Sequence, residues 1–303
     1  MLKIAITTTS FGEYDELPLR LCKESGYEVI MNPYKRKIKS DELVELAKGS
    51  VGIIAGTESM TGDVLSRLSG LKVISRCGAG IENVDLDAAR RLGVKVFNTP
   101  DAPTLAVAEL TVGLMLSLLR RTREMDGGVR SGRWEKMMGN LLFGKKVGIA
   151  GYGRIGRKVA EILKSFHCEL AYFDPLIKDT AGAVKRLSKE EMLRWADIIT
   201  IHAATKEMIL GEEELRLMKD GTWLINVSRG EAVDENALYR ELKNGRLNGA
   251  ALDVFKDEPY KGPLKDLSNV LLTPHIGSYA KESRIMMEKE AVENLLKGLR
   301  GGE

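Results

Sequence analysis

Short apolar runs of four to six residues alternate with amphipathic stretches along most of the chain. In the first hundred residues the runs fall at 3–7, 28–31, 51–55, 71–75 and 94–97, and stretches such as 40–47 and 61–68 repeat their apolar positions at helical spacing. Runs this short, apolar on both faces, read as buried strands. Strands alternating with helices imply a parallel sheet covered on both sides. The pattern restarts at 147–150 and continues at 169–173, 197–201, 222–227, 249–253 and 270–273. From residue 280 onward Ile285, Val292, Leu295, Leu296 and Leu299 recur near a period of 3.6, which predicts one closing helix. The expected fold is α/β: two doubly wound parallel-sheet domains, one spanning 1–99 plus 280–303 and the other 100–279. A cleft between two such domains is a natural place for a small molecule.

Composition narrows the class. A chain of 303 residues is long for one core, so two domains are the default. The net charge of +3 is small and the lysines and arginines are scattered, so no nucleic-acid partner is expected. The most apolar segment, 105–119, holds only 15 residues and includes Glu109 and Thr111. A membrane span needs about 20 apolar residues, so a buried helix at a domain or subunit contact is expected, and no membrane. Met1-Leu2-Lys3 leads directly into a strand-like run and does not read as a leader. Cys22, Cys77 and Cys168 are isolated, without C-x-x-C spacing. Reduced thiols in a cytoplasmic protein follow, with no metal site.

Residues 147–156 read Val-Gly-Ile-Ala-Gly-Tyr-Gly-Arg-Ile-Gly. An apolar run that breaks into three spaced glycines suggests a strand ending in a pyrophosphate cradle. Gly151 permits the tight turn, Gly153 lets a phosphate approach the backbone, and Gly156 lets the next helix pack close. The helix would open at Arg154 and Ile155, with its free amides facing an anion. Glycine turns are common, so context decides. A strand precedes the motif, a second strand follows at 169–173, and Asp174 lies 18 residues past Gly156. A carboxylate there accepts hydrogen bonds from ribose hydroxyls and repels a 2′-phosphate, so the expected cofactor is NAD rather than NADP.

Three histidines limit any acid–base search. His167, in Ser-Phe-His-Cys, reads as a surface loop residue. His202 ends the third strand of the second sheet, where it either lines the cofactor or is a packed strand-end histidine. His275 ends the last strand, at the carboxyl edge where open α/β sheets bind ligands. By position alone it reads equally as catalytic or structural. A histidine can take and give a proton at neutral pH, which a reversible alcohol–ketone conversion requires. Two more strand ends add weight. Arg229, in Asn-Val-Ser-Arg-Gly, can hold a carboxylate bidentately or form a surface ion pair. Asp253 ends Ala-Ala-Leu-Asp, and Glu258 follows in a loop, either orienting His275 or merely solvated.

These residues together resemble the D-isomer-specific 2-hydroxyacid dehydrogenases over nearly the whole chain. The resemblance is carried by Arg-Cys-Gly-Ala-Gly-Ile-Glu-Asn-Val-Asp at 76–85, Asn-Thr-Pro at 98–100, Ala-Val-Ala-Glu at 106–109 and the glycine fingerprint. Ser-Arg-Gly at 228–230, Ala-Leu-Asp-Val-Phe at 251–255, Glu258-Pro259 and Thr-Pro-His at 273–275 complete it. It implies a flavodoxin-like substrate domain and a Rossmann NAD-binding domain. It also implies His275 as general acid–base, Glu258 as its carboxylate partner and Arg229 as the substrate-binding arginine. Asp253 would lie near the nicotinamide, and the amides of Ala79 and Gly80 would hold the substrate carboxylate. The implied activity interconverts a small D-2-hydroxy acid and its 2-keto acid. The expected pair is 3-phosphoglycerate and 3-phosphohydroxypyruvate, in serine biosynthesis, in a form without a regulatory domain. Reduction of hydroxypyruvate or glyoxylate is the alternative, and a non-catalytic NAD(H)-binding sensor or corepressor is an alternative of another class. A homodimer through the cofactor domains would account for the apolar helix at 105–119. The loop Ala55-Gly56-Thr57-Glu58 lacks the arginine that often meets a substrate phosphate, and Arg133 or Lys136 are the other sources of positive charge considered.

Overall fold

A computed structural model describes residues 1–177, 184–205 and 207–301. In chain order the elements begin with β1 (Lys3–Ile6), α1 (Leu17–Glu24), β2 (Glu28–Met31), α2 (Ser40–Leu46), β3 (Ser50–Ala55), α3 (Gly62–Ser66), β4 (Val73–Arg76), α4 (Leu86–Arg91) and β5 (Lys95–Asn98). There follow α5 (Thr104–Leu119), α6 (Thr122–Arg130), β6 (Lys146–Ala150), α7 (Arg154–Lys164), β7 (Glu169–Phe173), β8 (Lys185–Arg186), α8 (Lys189–Trp195) and β9 (Ile198–Ile201). The chain closes with α9 (Glu212–Leu217), β10 (Trp223–Asn226), α10 (Glu235–Lys243), β11 (Gly249–Leu252), β12 (Val270–Leu272) and α11 (Lys281–Leu299). Two compact units result: Met1–Pro103 with Ser278–Glu303, and Thr104–Gly277.

The first unit holds a five-stranded parallel sheet in the order β2-β1-β3-β4-β5. Its central strands are apolar on both faces because helices cover both. One side is filled by Leu43, Val64, Leu65 and Ala88 from α2, α3 and α4. On the other, Ala291, Val292 and Leu295 of α11 pack on Ile4, Ile54 and Val73. Two glycines let α11 come this close. A Cβ on Gly52 would lie 2.8 Å from Leu295 Cδ1, and one on Gly298 would lie 2.7 Å from Phe97. The predicted tail helix thus closes the sheet from which the chain began.

The second unit holds a seven-stranded parallel sheet in the order β12-β11-β10-β9-β6-β7-β8. Its strand order reverses between β6 and β9, and open α/β sheets bind ligands at the carboxyl edge of such a switch point. Gly151 follows β6, and His202 follows β9. The apolar helix α5 is buried within this unit. Val107, Ala108, Val112 and Met115 pack with Val159, Ala160 and Leu163 of α7 and with Ile149 and Ala251 of the sheet. Intramolecular packing therefore explains its composition. Exposed apolar side chains of this unit include Leu105 and, in the segment after α6, Trp134, Met138, Leu141 and Phe143. No described helix is long and apolar enough to cross a membrane.

Candidate active site

The glycine turn is built by close approach. Gly151 has φ +92°, and a Cβ there would sit 2.5 Å from the Ala203 nitrogen. A Cβ on Gly156 would sit 2.2 Å from the Gly151 oxygen. Gly153 differs, since apart from its own chain neighbours no atom of the described residues lies within 4 Å of where its Cβ would be. Gly153 is also the N-cap of α7, and no side chain caps that helix. α7 thus opens at Arg154 and Ile155 beside open space, the arrangement an anion cradle requires.

Asp174 follows β7 and is buried. Its Oδ2 accepts from the Tyr152 amide at 2.8 Å, and its Oδ1 from the Leu176 and Ile177 amides at 2.8 and 3.0 Å. The carboxylate therefore ties the glycine turn to the end of β7. Its second Oδ2 lone pair remains for a ribose hydroxyl, since a carboxylate offers about four acceptor positions. His202 is buried, and desolvation pushes its pKa down to about 3, so it is neutral. Its Nε2 pairs with Thr200 Oγ1 at 2.9 Å, while its Nδ1 is buried without a partner among the described residues. The donor set and the open cradle fit NAD.

The second cluster lies at the carboxyl ends of β10, β11 and β12. His275 has φ +54°, and its amide donates to the Asp253 backbone oxygen at 2.9 Å. The Asp253 side chain fixes the rest of this turn. It accepts from Thr273 Oγ1 at 2.6 Å, the Ile276 amide at 2.8 Å and the Gly277 amide at 2.8 Å. Asp253 is almost wholly buried, and desolvation raises its pKa against those three bonds. His275 Nδ1 lies 2.9 Å from Glu258 Oε2. A carboxylate can only accept, so Nδ1 carries the proton and Nε2 is left as the reactive nitrogen.

Three loops interlock around this pair. Asn226 accepts from the Ser228 amide and hydroxyl and donates to the Arg229 carbonyl at 2.9 Å, which shapes the turn carrying Arg229. A Cβ on Gly230 would fall 1.9 Å from the Phe255 carbonyl carbon. Only glycine lets the arginine turn touch the loop that carries Glu258. That loop is held by the Phe255–Tyr260 stack, at 4.4 Å between centroids, and by Glu235, which accepts from the Lys256 amide at 2.8 Å. Glu258 itself accepts from the Phe255 amide at 3.1 Å. Arg229, Glu258 and His275 line one cavity of about 210 Å³, with Lys256 and Glu231 at its wall.

Ala79 and Gly80 lie in the first unit, Arg133 and Lys136 in the second. Ala79 and Gly80 follow β4 in the turn 77–80, held by Gly78 N to Thr99 Oγ1 at 2.7 Å and Asn98 Nδ2 to Ala79 O at 2.6 Å. Their own amides meet no protein acceptor among the described residues. Arg133 and Lys136 are exposed in the segment after α6. Glu235, Asn226 and Thr273 were not predicted. Only Asn226, at a strand end in Asn-x-Ser, carried a local turn signal.

Residues 112–277 match the sequence model described as "D-isomer specific 2-hydroxyacid dehydrogenase, NAD binding domain". The chain belongs to the D-isomer specific 2-hydroxyacid dehydrogenases. It is 37% identical over 275 residues to a D-3-phosphoglycerate dehydrogenase of Methanocaldococcus jannaschii, covering 87% of this chain and 52% of that one. It is 33% identical over 287 residues to a hydroxypyruvate reductase of Thermotoga maritima, covering 90% and 94%. A crystal structure of a Thermus thermophilus protein superposes with a TM-score of 0.92 at 35% identity, covering 100% of this chain and 98% of the other. The chain spans about half the length of the phosphoglycerate dehydrogenases it matches. The second unit is the family's NAD-binding domain, and NAD is its cofactor.

Proposed function

We propose that this dehydrogenase interconverts a small D-2-hydroxy acid and its 2-keto acid. The observation that carries the reading is the 2.9 Å His275–Glu258 pair beside Arg229 in one cavity. NAD(H), when bound on the glycine turn, supplies or accepts the hydride. In reduction, protonated His275 gives the Nε2 proton to the carbonyl oxygen. In oxidation, neutral His275 takes the hydroxyl proton, and the imidazolium formed rests against the Glu258 carboxylate. Arg229 holds the substrate carboxylate and polarises the carbonyl. Asp253 acts through the backbone, fixing the turn that points His275. Both 3-phosphohydroxypyruvate and hydroxypyruvate carry the groups this chemistry needs. The complete His–Glu–Arg set argues against a purely sensing protein, for which none of the three is required.

A homodimer is proposed through the exposed apolar segment that carries Trp134, Met138, Leu141 and Phe143. Light scattering of the purified protein tests it, and a monomer at micromolar concentration would refute it. Cys22, Cys77 and Cys168 are free thiols, which supports a reducing compartment such as the cytoplasm. The catalytic reading is tested with His275→Ala. Turnover is expected to disappear while NADH binding, followed by fluorescence, stays within about threefold of the parent. Turnover preserved with cofactor affinity lost would reverse the assignment.

A further inference from the structure

In the loop that carries Glu258, two consecutive amides each meet a carboxylate. The Phe255 amide donates to Glu258 Oε1 at 3.1 Å, and the Lys256 amide donates to Glu235 Oε1 at 2.8 Å. The two bonds differ in kind. The first joins residues three apart in one loop, so it shapes the loop and moves with it. The second crosses 21 positions to another element and fixes where the loop lies. Glu235 is the first residue of α10, a helix seated in the core by Ala237, Leu238 and Leu242, so its carboxylate stands on a rigid support. An acid in the first turn of a helix has an ordinary explanation, since it complements the dipole. Here the helix start is already capped. Asp234 is the N-cap, and its Oδ1 accepts from the Asn236 and Ala237 amides at 3.0 Å. Glu235 places its carboxylate on the neighbouring loop instead, at a cost. It is half-buried, and desolvation, with Asp257 and Asp234 nearby, raises its pKa against the Lys256 bond.

From Lys256 the constraint passes to Glu258, and from Glu258 to the His275 ring, whose Nδ1 lies 2.9 Å from Oε2 and 3.2 Å from Oε1. The ring and the carboxylate are 54% and 38% exposed, so water competes for both and burial does not hold the pair together. The placement of the loop must do so. We propose that Glu235 is a positioning residue for the proton transfer. By fixing the Phe255–Lys256 peptide it keeps Glu258 against Nδ1, and so keeps Nε2 of His275 as the reactive nitrogen. A neutral imidazole without that acceptor can carry its proton on Nε2 instead, and in that form Nε2 cannot take a hydroxyl proton. The inference rests on the dehydrogenase activity proposed above and adds to it a residue that acts only through the Glu258 loop.

The test compares the parent with Glu235→Ala and Glu235→Gln by two readouts. One is steady-state kinetics with NADH and hydroxypyruvate, 3-phosphohydroxypyruvate or glyoxylate. The other is the ring-nitrogen NMR shifts of His275 in protein isotopically labelled at histidine, taken at about pH 9, where an imidazole is neutral; the spectrum of His275→Ala assigns the signals. Glu235→Ala is expected to lower kcat about tenfold, with KM and NADH affinity within about threefold of the parent. It is also expected to move His275 from the Nδ1–H towards the Nε2–H tautomer. Glu235→Gln keeps an acceptor of the same reach and is expected to restore most of the loss in both readouts. A merely structural Glu235 would lower the melting temperature of a folded alanine variant and leave the tautomer as in the parent, and that result overturns the proposal. A glutamine variant no better than alanine overturns it too, as does a parent ring already in the Nε2–H form. If Glu235→Ala does not fold, Glu235→Asp, which draws the acceptor back by one carbon, is expected to show the same tautomer shift in smaller degree; a folded aspartate variant with the parent's tautomer overturns the proposal. Absence of parent turnover with all three keto acids refutes the dehydrogenase reading instead, and the tautomers then decide the role of Glu235 on their own.

Discussion

Gly230→Ala is a perturbation whose size follows from one contact. The added methyl carbon would lie 1.9 Å from the Phe255 carbonyl carbon and 2.2 Å from the Lys256 nitrogen. Both are backbone atoms and neither can rotate away. Ordinary contact between carbons is about 3.5 Å, so the two loops must part by roughly 1.5 Å. One of them carries Arg229 and the other Glu258, so the shift separates the arginine from the His275 pair. A misplacement of about 1 Å costs about a hundredfold in rate, or roughly 2.7 kcal/mol at 1.36 kcal/mol per decade. Strain of this kind also costs about 1–3 kcal/mol of stability. The assay is the initial rate of NADH oxidation with the keto acid that the parent turns over best, alongside a thermal melt and an NADH titration. Expected are kcat/KM down about a hundredfold, a lower Tm and NADH affinity kept, because the glycine turn lies on β6. A folded variant with kcat/KM within about threefold of the parent would show that these loops need not touch for catalysis.

Three further outcomes are expected. Gly153→Ala should leave the melting temperature of the cofactor-free protein unchanged, since its φ of −74° suits alanine and the space is open, yet weaken NADH binding by about tenfold or more; unchanged affinity would remove Gly153 from the cradle. NAD should exceed NADP in kcat/KM, because the buried Asp174 carboxylate opposes a 2′-phosphate, and the reverse order would refute that reading. His202 is depressed to about 3 in the folded protein against 6.5 in an unfolded chain, so only the unfolded state gains its proton as pH falls through 6.5. Its contribution is intact above pH 6.5 and is lost progressively below it. Between pH 7 and pH 5 the unfolding free energy should fall about 2 kcal/mol more in the parent than in His202→Gln, and equal acid sensitivity in denaturant titrations would show that His202 is not buried neutral.

Periodicity made the fold legible, because parallel strands buried on both faces appear as unbroken apolar runs, and eleven such runs stand in the chain. Where the run is missing, the element was missed. β8 has two exposed, charged residues, and α6 has no buried residue and so no apolar stripe. The His275–Glu258 contact was legible as chemistry, since histidine near a loop acid suggests one purpose. The supports of that contact were not. Glu235 meets Lys256 across 21 positions, and Thr7 meets Glu58 across 51. Spacing carries no trace of such contacts until strand order brings the loops together. Asp253 shows a third limit. The acid could be found, but not that its carboxylate is spent on the backbone of the histidine turn.

The bonding of Asp174 ties nucleotide choice to loop architecture. Its oxygens hold the amides of Tyr152, Leu176 and Ile177, two stretches more than twenty residues apart. An attempt to convert the protein to NADP by shortening or neutralising this side chain would therefore release both stretches at once. Each abandoned buried amide costs about 1–3 kcal/mol, so the loss would fall on the pyrophosphate turn before any 2′-phosphate arrived. A route to NADP would run through a replacement that still accepts from those amides, with a cation added nearby, making cofactor preference here a property that changes by several substitutions together or not at all.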